Sequence, residues 1–325
     1  MSKSRFAGFG VSAITSSALA LGAWAFLYEP SRFETVHYDI PLAVAGWGDA
    51  DTPTKNAPPL TIALLSDIHA GSPYFGLQTI ERVVGAVNEA RPDLVLLAGD
   101  YVVSGIPGGR FVPPEELAEV LRGLEAPLGV YAVLGNHDVW LDEARVERAF
   151  EAVGIALLSD EAIRLPVPVP AQEPVTATDE TRAGFWLVGL NDSLTSRPDV
   201  DQALSAIDDD APVIAFTHNP DLFPRVPERV ALTLAGHTHG GQVRLPFIGT
   251  PVVPSKYGSR YARGLIVEEG RTLFVTSGLG TSIFPVRFGV PPEVAVLRVH
   301  VHVHVHEHDQ PRPTRATSAV TVSSP

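Results

Sequence analysis

The chain has 325 residues, 45% hydrophobic and 19% charged, which is a globular composition and neither a disordered nor a fibrous one. Thirty-seven acidic residues against 24 basic leave a net charge of −13, which excludes nucleic acid bound through a basic footprint. Cysteine is absent, so disulfide scaffolds, thiolate metal sites, iron–sulfur clusters and thiol nucleophiles are excluded together. Chemistry must run on Ser, His, carboxylates, backbone or a metal site without thiolates.

From Phe6 to Tyr28 the chain carries no charge. About 20 apolar residues at 1.5 Å rise span the hydrocarbon core of a bilayer, so residues 1–30 are predicted to hold a transmembrane helix. Lys3 and Arg5 precede the run, while Glu29, Arg32 and Glu34 follow it. This bias places the N-terminus in the cytoplasm and the body on the extracytoplasmic side. A cleaved signal and a secreted body is the rival reading, because Ala23-Trp24-Ala25 has the small-x-small pattern. A buried soluble helix is the third. Residues 31–59 read as a linker that opens with a short strand from Val36.

The body, residues 60–299, is a sequence of apolar runs, each ending in a polar or glycine cluster. These runs, in part aromatic, are Thr61–Ser66, Asp93–Ala98, Gly129–Leu134, Phe185–Leu190, Pro212–Thr217 and Val230–Ala235. Runs without alternation suit strands buried on both faces. Helical patterns at Leu77–Ala90, Pro114–Leu124 and Val139–Val153 intervene, and strand–helix alternation implies a largely parallel sheet under helices. Toward the end, Leu265–Val267 and Thr272–Val275 form a hairpin pattern around Glu268-Glu269-Gly270-Arg271. The predicted class is α/β, as two stacked mixed β-sheets with flanking helices. Residues 164–182 read as an inserted Pro/Thr-rich surface loop.

Metal-capable residues follow these runs directly: Asp67 and His69, then Asp100, then Asn136-His137-Asp138, then His218, then His237 and His239. Strand ends are where functional groups gather in α/β sheets. The i,i+2 spacing of Asp67/His69 and His237/His239 predicts paired side chains on one face of extended backbone. Besides His137 the set holds four imidazoles, two carboxylates and one amide. That mixture suits Mn, Fe or Zn. Seven ligands exceed one tetrahedral ion but fit two divalent ions sharing a carboxylate. Such a pair generates hydroxide near neutral pH and clamps the attacking and leaving oxygens of a displacement at phosphorus.

With these blocks the sequence resembles the calcineurin-like metallophosphoesterase superfamily over roughly residues 60–299. The resemblance implies a four-layer αββα sandwich. It also implies Asp67, His69 and His239 on one metal, Asn136, His218 and His237 on the other, and Asp100 bridging. His137 matches the family's non-ligand histidine, which assists the transition state or the leaving group, and Asp138 its orienting acid. Further blocks look like the bacterial membrane-anchored YkuE-like branch: Thr217-His218-Asn219-Pro220-Asp221, Gly240-Gly241-Gln242, Gly278-Leu279-Gly280-Thr281-Ser282 and Arg287-Phe288-Gly289-Val290-Pro291-Pro292-Glu293. That branch is described by analogy with UDP-2,3-diacylglucosamine hydrolases. The expected partner is therefore a phosphoester substrate, lipid-linked at the membrane, with no obligate protein partner evident. A catalytically silent metal-binding scaffold of the same fold is the alternative.

Other residues have competing readings. Asp192 is a candidate acceptor behind a ligand histidine, or a turn residue. Arg287 is a candidate for bidentate contact with substrate phosphate, or a surface residue. Tyr74-Phe75 either lines a lipid or leaving-group pocket or packs in the core. The alternating His ladder from Val299 to His308 either extends the last strand with its His face in water, collects metal, or contacts anionic membrane in a pH-dependent way. The remaining tail is Pro/Ser/Thr-rich and read as disordered.

Overall fold

A computed structural model describes residues 15–43, 59–167 and 184–302 of the chain. The run Leu60–Leu65 shows why its residues do not alternate in polarity. Ile62 and Leu64 enter a core between two sheets, whereas Ala63 and Leu65 enter a second core beneath helices. All four are fully buried.

Twelve strands build the two sheets. They are β1 Glu34–Ala43, β2 Leu60–Leu65, β3 Leu94–Ala98, β4 Val130–Val133, β5 Ala156–Leu157, β6 Glu161–Pro166, β7 Gly184–Leu190, β8 Val213–Thr217, β9 Leu232–Ala235, β10 Gly264–Glu268, β11 Arg271–Val275 and β12 Glu293–His302. The first sheet has the order β1-β12-β2-β3-β4-β5 and the second β10-β11-β9-β8-β7-β6. In the first, β2, β3, β4 and β5 are parallel neighbours and β12 pairs antiparallel with β2. In the second, β7, β8, β9 and β11 are parallel, flanked by antiparallel β6 and β10. Phe185, Phe216 and Phe274 of the second sheet meet Leu64 and Leu96 of the first. Helices Leu77–Glu89, Pro114–Leu121 and Asn136–Ala152 cover the outer face of the first sheet.

Several expectations are modified. The outer layer of the second sheet is thin, a short helix Val200–Leu204 and a 3-10 turn Pro220–Arg225, in which the interior Pro224 opposes extension into a longer helix. The predicted linker contributes a full edge strand: β1 pairs in parallel with β12 from Glu34↔Glu293 to Ala43↔His302. The expected loop at 164–182 begins later, since β6 extends to Pro166, and residues 168–183 lie outside the described residues. The β10–β11 hairpin forms as predicted, with Glu269 and Gly270 at positive φ in its two-residue turn.

At the N-terminus, residues 15–23 are helical and continue through a π-turn Trp24–Tyr28 and a 3-10 turn Glu29–Ser31. Residues 1–14 lie outside the described residues. Among the described residues no helix is long and apolar enough to cross a membrane. The helix end instead docks on the body. Glu29 is buried, accepting the Val290 N–H at 2.7 Å and the Trp24 indole N–H at 2.6 Å. At the other terminus β12 carries the first histidines of the ladder, where His300 Nε2 lies 2.9 Å from Asp39. Residues 303–325 lie outside the described residues.

Candidate metal centre

Loops leaving the carboxyl ends of β2, β3, β8 and β9 are stitched together by backbone hydrogen bonds. The Asp67 N–H donates to Gly99 O at 2.9 Å, the His69 N–H to Asp100 O at 3.0 Å, and the Gly236 N–H to His218 O at 3.0 Å. The turns are left-handed and not extended. Asp67 (φ 52°), His69 (43°), Asp100 (56°), His237 (68°) and His239 (51°) all have positive φ. The side chains of each i,i+2 pair therefore converge through tight turns, which corrects the expectation of extended backbone. Positive φ is uncommon outside glycine, and concentrating it here stores strain at the site. Glycines allow the approach: a Cβ on Gly278 would lie 2.7 Å from the Asp67 Cβ, and one on Gly280 2.8 Å from the His69 Cβ.

Three clusters have ligand atoms within 4.8 Å of one another: Asp67, His69 and His239; Asp100, His218 and His237; and His69, Asp100 and His137. Asp100 belongs to two of them, with Oδ2 3.7 Å from His69 Nε2 and 3.2 Å from His218 Nε2. His218 Nδ1 lies 2.8 Å from the Ala98 carbonyl oxygen, to which it donates, so Nε2 is turned into the site. Asn136, first residue of its helix, is buried and shares a cavity wall with Asp100 and His237.

The donor set fits a pair of divalent cations. His69 Nε2 faces His239 Nε2 at 3.1 Å, and His218 Nε2 faces His237 Nδ1 at 3.1 Å. Two imidazole nitrogens at that separation need a proton or a cation shared between them. Asp67 Oδ1 and Asn136 Oδ1 are buried without hydrogen-bond partners. Each such atom costs about 1–3 kcal/mol, which coordination removes. Burial pushes Asp67 up to about 6 and His69 and His237 down to about 3, with His239 also well below the ordinary imidazole value. Burial also acts against charge on His218, yet the adjacent Asp100 overrides it and raises His218 to about 10. Conversely, burial works to raise Asp100, but His218 and His69 hold it well below the usual carboxylate range. Three neutral imidazoles around an ionised carboxylate offer the lone pairs that Mn, Fe or Zn accept.

Of these residues, Asp100, Asn136, His237 and His239 line a cavity of about 650 Å³. His137 is half-buried in its wall, edge-on to His69 at 4.8 Å and to Trp140 at 5.2 Å. Asp138 does not orient it. Its carboxylate is fully buried and accepts the backbone N–H groups of Asp100 (2.8 Å), Tyr101 (2.9 Å), Val102 (3.3 Å) and Gly135 (2.9 Å). Asp138 is thus the organiser of the Asp100 loop, at the third position of a helix capped by Gly135, one turn before the predicted start.

Arg287 is likewise corrected. It is fully buried, and its guanidinium donates to the carbonyls of Ser277 (3.0 Å), Gly278 (3.2 Å), Gly280 (2.6 Å) and Val290 (3.1 Å), so none of it faces substrate phosphate. Nη2 also comes within 3.4 Å of His239 Nδ1, which makes Arg287 a brace behind a metal-capable residue. Asp192 adopts its turn role: Oδ2 accepts from the Leu194 and Thr195 N–H groups and the Thr195 hydroxyl. Oδ1 is buried without a hydrogen-bond partner, and Asp192 acts on His218 only through its charge. Phe75 packs in the helical core and Tyr74 donates to the Phe26 carbonyl at 2.9 Å, so neither lines the cavity.

Sequence reasoning passed over Trp140 and the Asp221 carboxylate. Asp221 accepts the Lys256 N–H at 2.9 Å and so holds the segment 254–256 at the cavity wall. Its signal was the Asn219-Pro220-Asp221 turn.

Residues 60–241 match the model of the calcineurin-like phosphoesterase family. The chain belongs to that family. This phosphoesterase is 28% identical over 300 residues to the uncharacterized metallophosphoesterase YkuE of Bacillus subtilis, covering 91% of this chain and 96% of the relative. It is 30% identical over 248 residues to the phosphodiesterase YaeI of Escherichia coli, covering 75% and 83% of the two chains. UDP-2,3-diacylglucosamine pyrophosphatase LpxG of Chlamydia trachomatis is 26% identical over 345 residues, covering 90% and 98%. The phosphoesterase is accordingly a hydrolase of phosphoester bonds that works with divalent metals.

Proposed function

We propose that this enzyme cleaves a phosphodiester or pyrophosphate bond of a lipid-linked substrate, held at the membrane by its N-terminal segment with the catalytic body extracytoplasmic. The observation that carries the hydrolytic part is the position of Asp100, whose Oδ2 lies between His69 and His218. Asp67, His69 and His239 would hold one cation, Asn136, His218 and His237 the other, and Asp100 would touch both. The cations, when bound, supply Lewis acidity and a hydroxide at neutral pH.

The chain's own residues do the rest. Asp138 fixes the Asp100 loop, and Arg287 braces His239. His137 lines the cavity beside the cluster, which supports a role for it in hydrogen-bonding or protonating the leaving oxygen. Trp140, Leu194, Val252 and Ile283 give the cavity an apolar wall that suits a hydrophobic substituent on the phosphoester. The named activities of YaeI and LpxG support a diester or pyrophosphate substrate. The uncharged run from Phe6 to Tyr28 supports the anchor.

The test is a substrate screen with the full chain and added Mn, offering nucleotide diphosphate sugars, phospholipids, polyprenyl phosphates and a chromogenic phosphodiester. Turnover of lipid-bearing substrates above soluble ones is expected. Equal rates on both would discard the lipid-linked reading, and no turnover of any would favour the silent scaffold.

A further inference from the structure

Two segments that wall the cavity also push bare apolar side chains into water. Phe247 is 109% exposed and Ile248 72%, at the tip of a loop closed by reciprocal hydrogen bonds between Leu245 and Gly249. Beside it, Ile283 is 72% and Phe284 60% exposed. Gln242 joins the two segments, its Oε1 accepting the Ser282 N–H at 2.7 Å and its Nε2 donating to Ser282 O at 3.2 Å. Both Gln242 and Ile283 belong to the cavity wall.

Phe247 (φ 64°) and Ile283 (φ 62°) hold left-handed backbone, which is a genuine outlier for a bulky or β-branched residue. Strain of this kind persists where function requires it. Here it presents apolar groups that add nothing to the core. The charge of this region is also unlike that of the chain. Residues 240–256 and 280–292 contain no Asp or Glu within a protein of net charge −13, and Arg244 and Lys256 are exposed there. Finally, Trp24 and Glu29 line one cleft together with Phe247 and Phe288, so the apolar N-terminal segment reaches the body beside this loop tip.

We propose that this face is a second membrane contact, docking into the headgroup zone of a bilayer that contains anionic lipid. Phe247, Ile248, Ile283 and Phe284 enter the boundary between headgroups and acyl chains, while Arg244 and Lys256 meet the anionic headgroups. Because Ile283 belongs to both the rim and the cavity wall, docking opens the cavity toward the lipid surface. A phosphoester whose other end stays in the bilayer then reaches the metal centre without leaving it. This inference rests on the anchored reading of the N-terminal segment.

The absence of cysteine makes the test direct, since a single introduced cysteine carries a single label. Full-length Phe247→Cys and Ile248→Cys proteins bearing an environment-sensitive fluorophore are reconstituted with vesicles of phosphatidylethanolamine and phosphatidylglycerol. Glu119→Cys, on the exposed side of the helix Pro114–Leu121, is the control. Labels at 247 and 248 are expected to brighten several-fold and to lose most of their emission to nitroxide-bearing lipid, while the control stays unquenched. A separate, unlabelled Phe247→Ser/Ile248→Ser protein should lose turnover of vesicle-embedded phosphoester severalfold more than turnover of a soluble one. Protein that floats with vesicles while both labels remain in water overturns the second contact and leaves the anchor standing. Protein that does not float at all overturns both. Labels already shielded without lipid, in a chain that sediments as a dimer, assign the face to a second copy and also overturn the proposal.

Discussion

The Asp138 carboxylate accepts the backbone N–H of Asp100 at 2.8 Å, and three further N–H groups from Tyr101, Val102 and Gly135 complete its coordination. A residue with no access to the cavity therefore determines where the central carboxylate of the site stands. Asp138→Asn offers one oxygen and one NH₂ group to four donors. Outer partners of metal ligands are typically worth 10–100-fold in metal affinity or activity. Titration of the variant with Mn should show affinity weakened by about that factor, with turnover falling in parallel.

His137 should behave differently. It stands in the cavity wall beside the cluster and outside the ligand set proposed above. His137→Gln is expected to retain two metal ions per chain by elemental analysis while kcat falls by roughly 10²–10⁴, the usual worth of general acid help. Loss of bound metal in this variant would show it to be a ligand.

Arg287 is predicted to matter for stability and not for substrate affinity. Arg287→Met removes the guanidinium donor from the carbonyls of Ser277, Gly280 and Val290 in a fully buried position, while Gly278 O keeps the Glu293 N–H. The expected cost is at least about 3 kcal/mol in urea denaturation. KM for a phosphodiester should stay near wild type in the protein that remains folded. A selective rise in KM would restore the phosphate-contact reading.

Metal removal should destabilise the fold as well as stop turnover, because binding removes the cost of Asp67 Oδ1 and Asn136 Oδ1, which are buried without hydrogen bonds. With free metal at 100 times Kd, the stabilisation is about 2.7 kcal/mol per site. Calorimetry with and without chelator should show a lower Tm without metal, and added Mn should restore both Tm and activity.

Tyr101 gives a pH dependence with a defined sign. Its hydroxyl is buried 2.8 Å from the Leu97 carbonyl oxygen, and burial and then the Asp138 charge push its pKa well above the ordinary value near 10. Below pH 10 both folded and unfolded chains keep the proton. Above it the unfolded chain ionises while the folded one does not, so stability falls by about 1.4 kcal/mol per pH unit. Denaturation of Tyr101→Phe between pH 9 and 11 should show a correspondingly shallower slope than wild type.

Much of this protein is legible along the chain. Apolar runs such as Leu94–Ala98 and Val213–Thr217 read as buried strands, because such short runs without polar alternation, ended by turn residues, suit a strand covered on both faces. Polar residues placed directly after such runs fall at strand ends, which is why the positions of Asp67, Asp100, His218 and His237 were readable without coordinates. Donor chemistry was readable too, since residue type alone determines whether a side chain can hold a divalent ion.

Only the tertiary structure decided what each neighbour does. Asp138 and Arg287 have the composition of an orienting acid and a phosphate clamp, yet folding buries both among backbone groups. Which backbone group a buried charge meets depends on loops from distant strands, and no local pattern encodes that. The same holds for the left-handed turns at Asp67 and His69, and for the edge strand β1, whose partner β12 lies at the other end of the chain. Residue type specifies which interactions are possible, and long-range packing selects which of them are made.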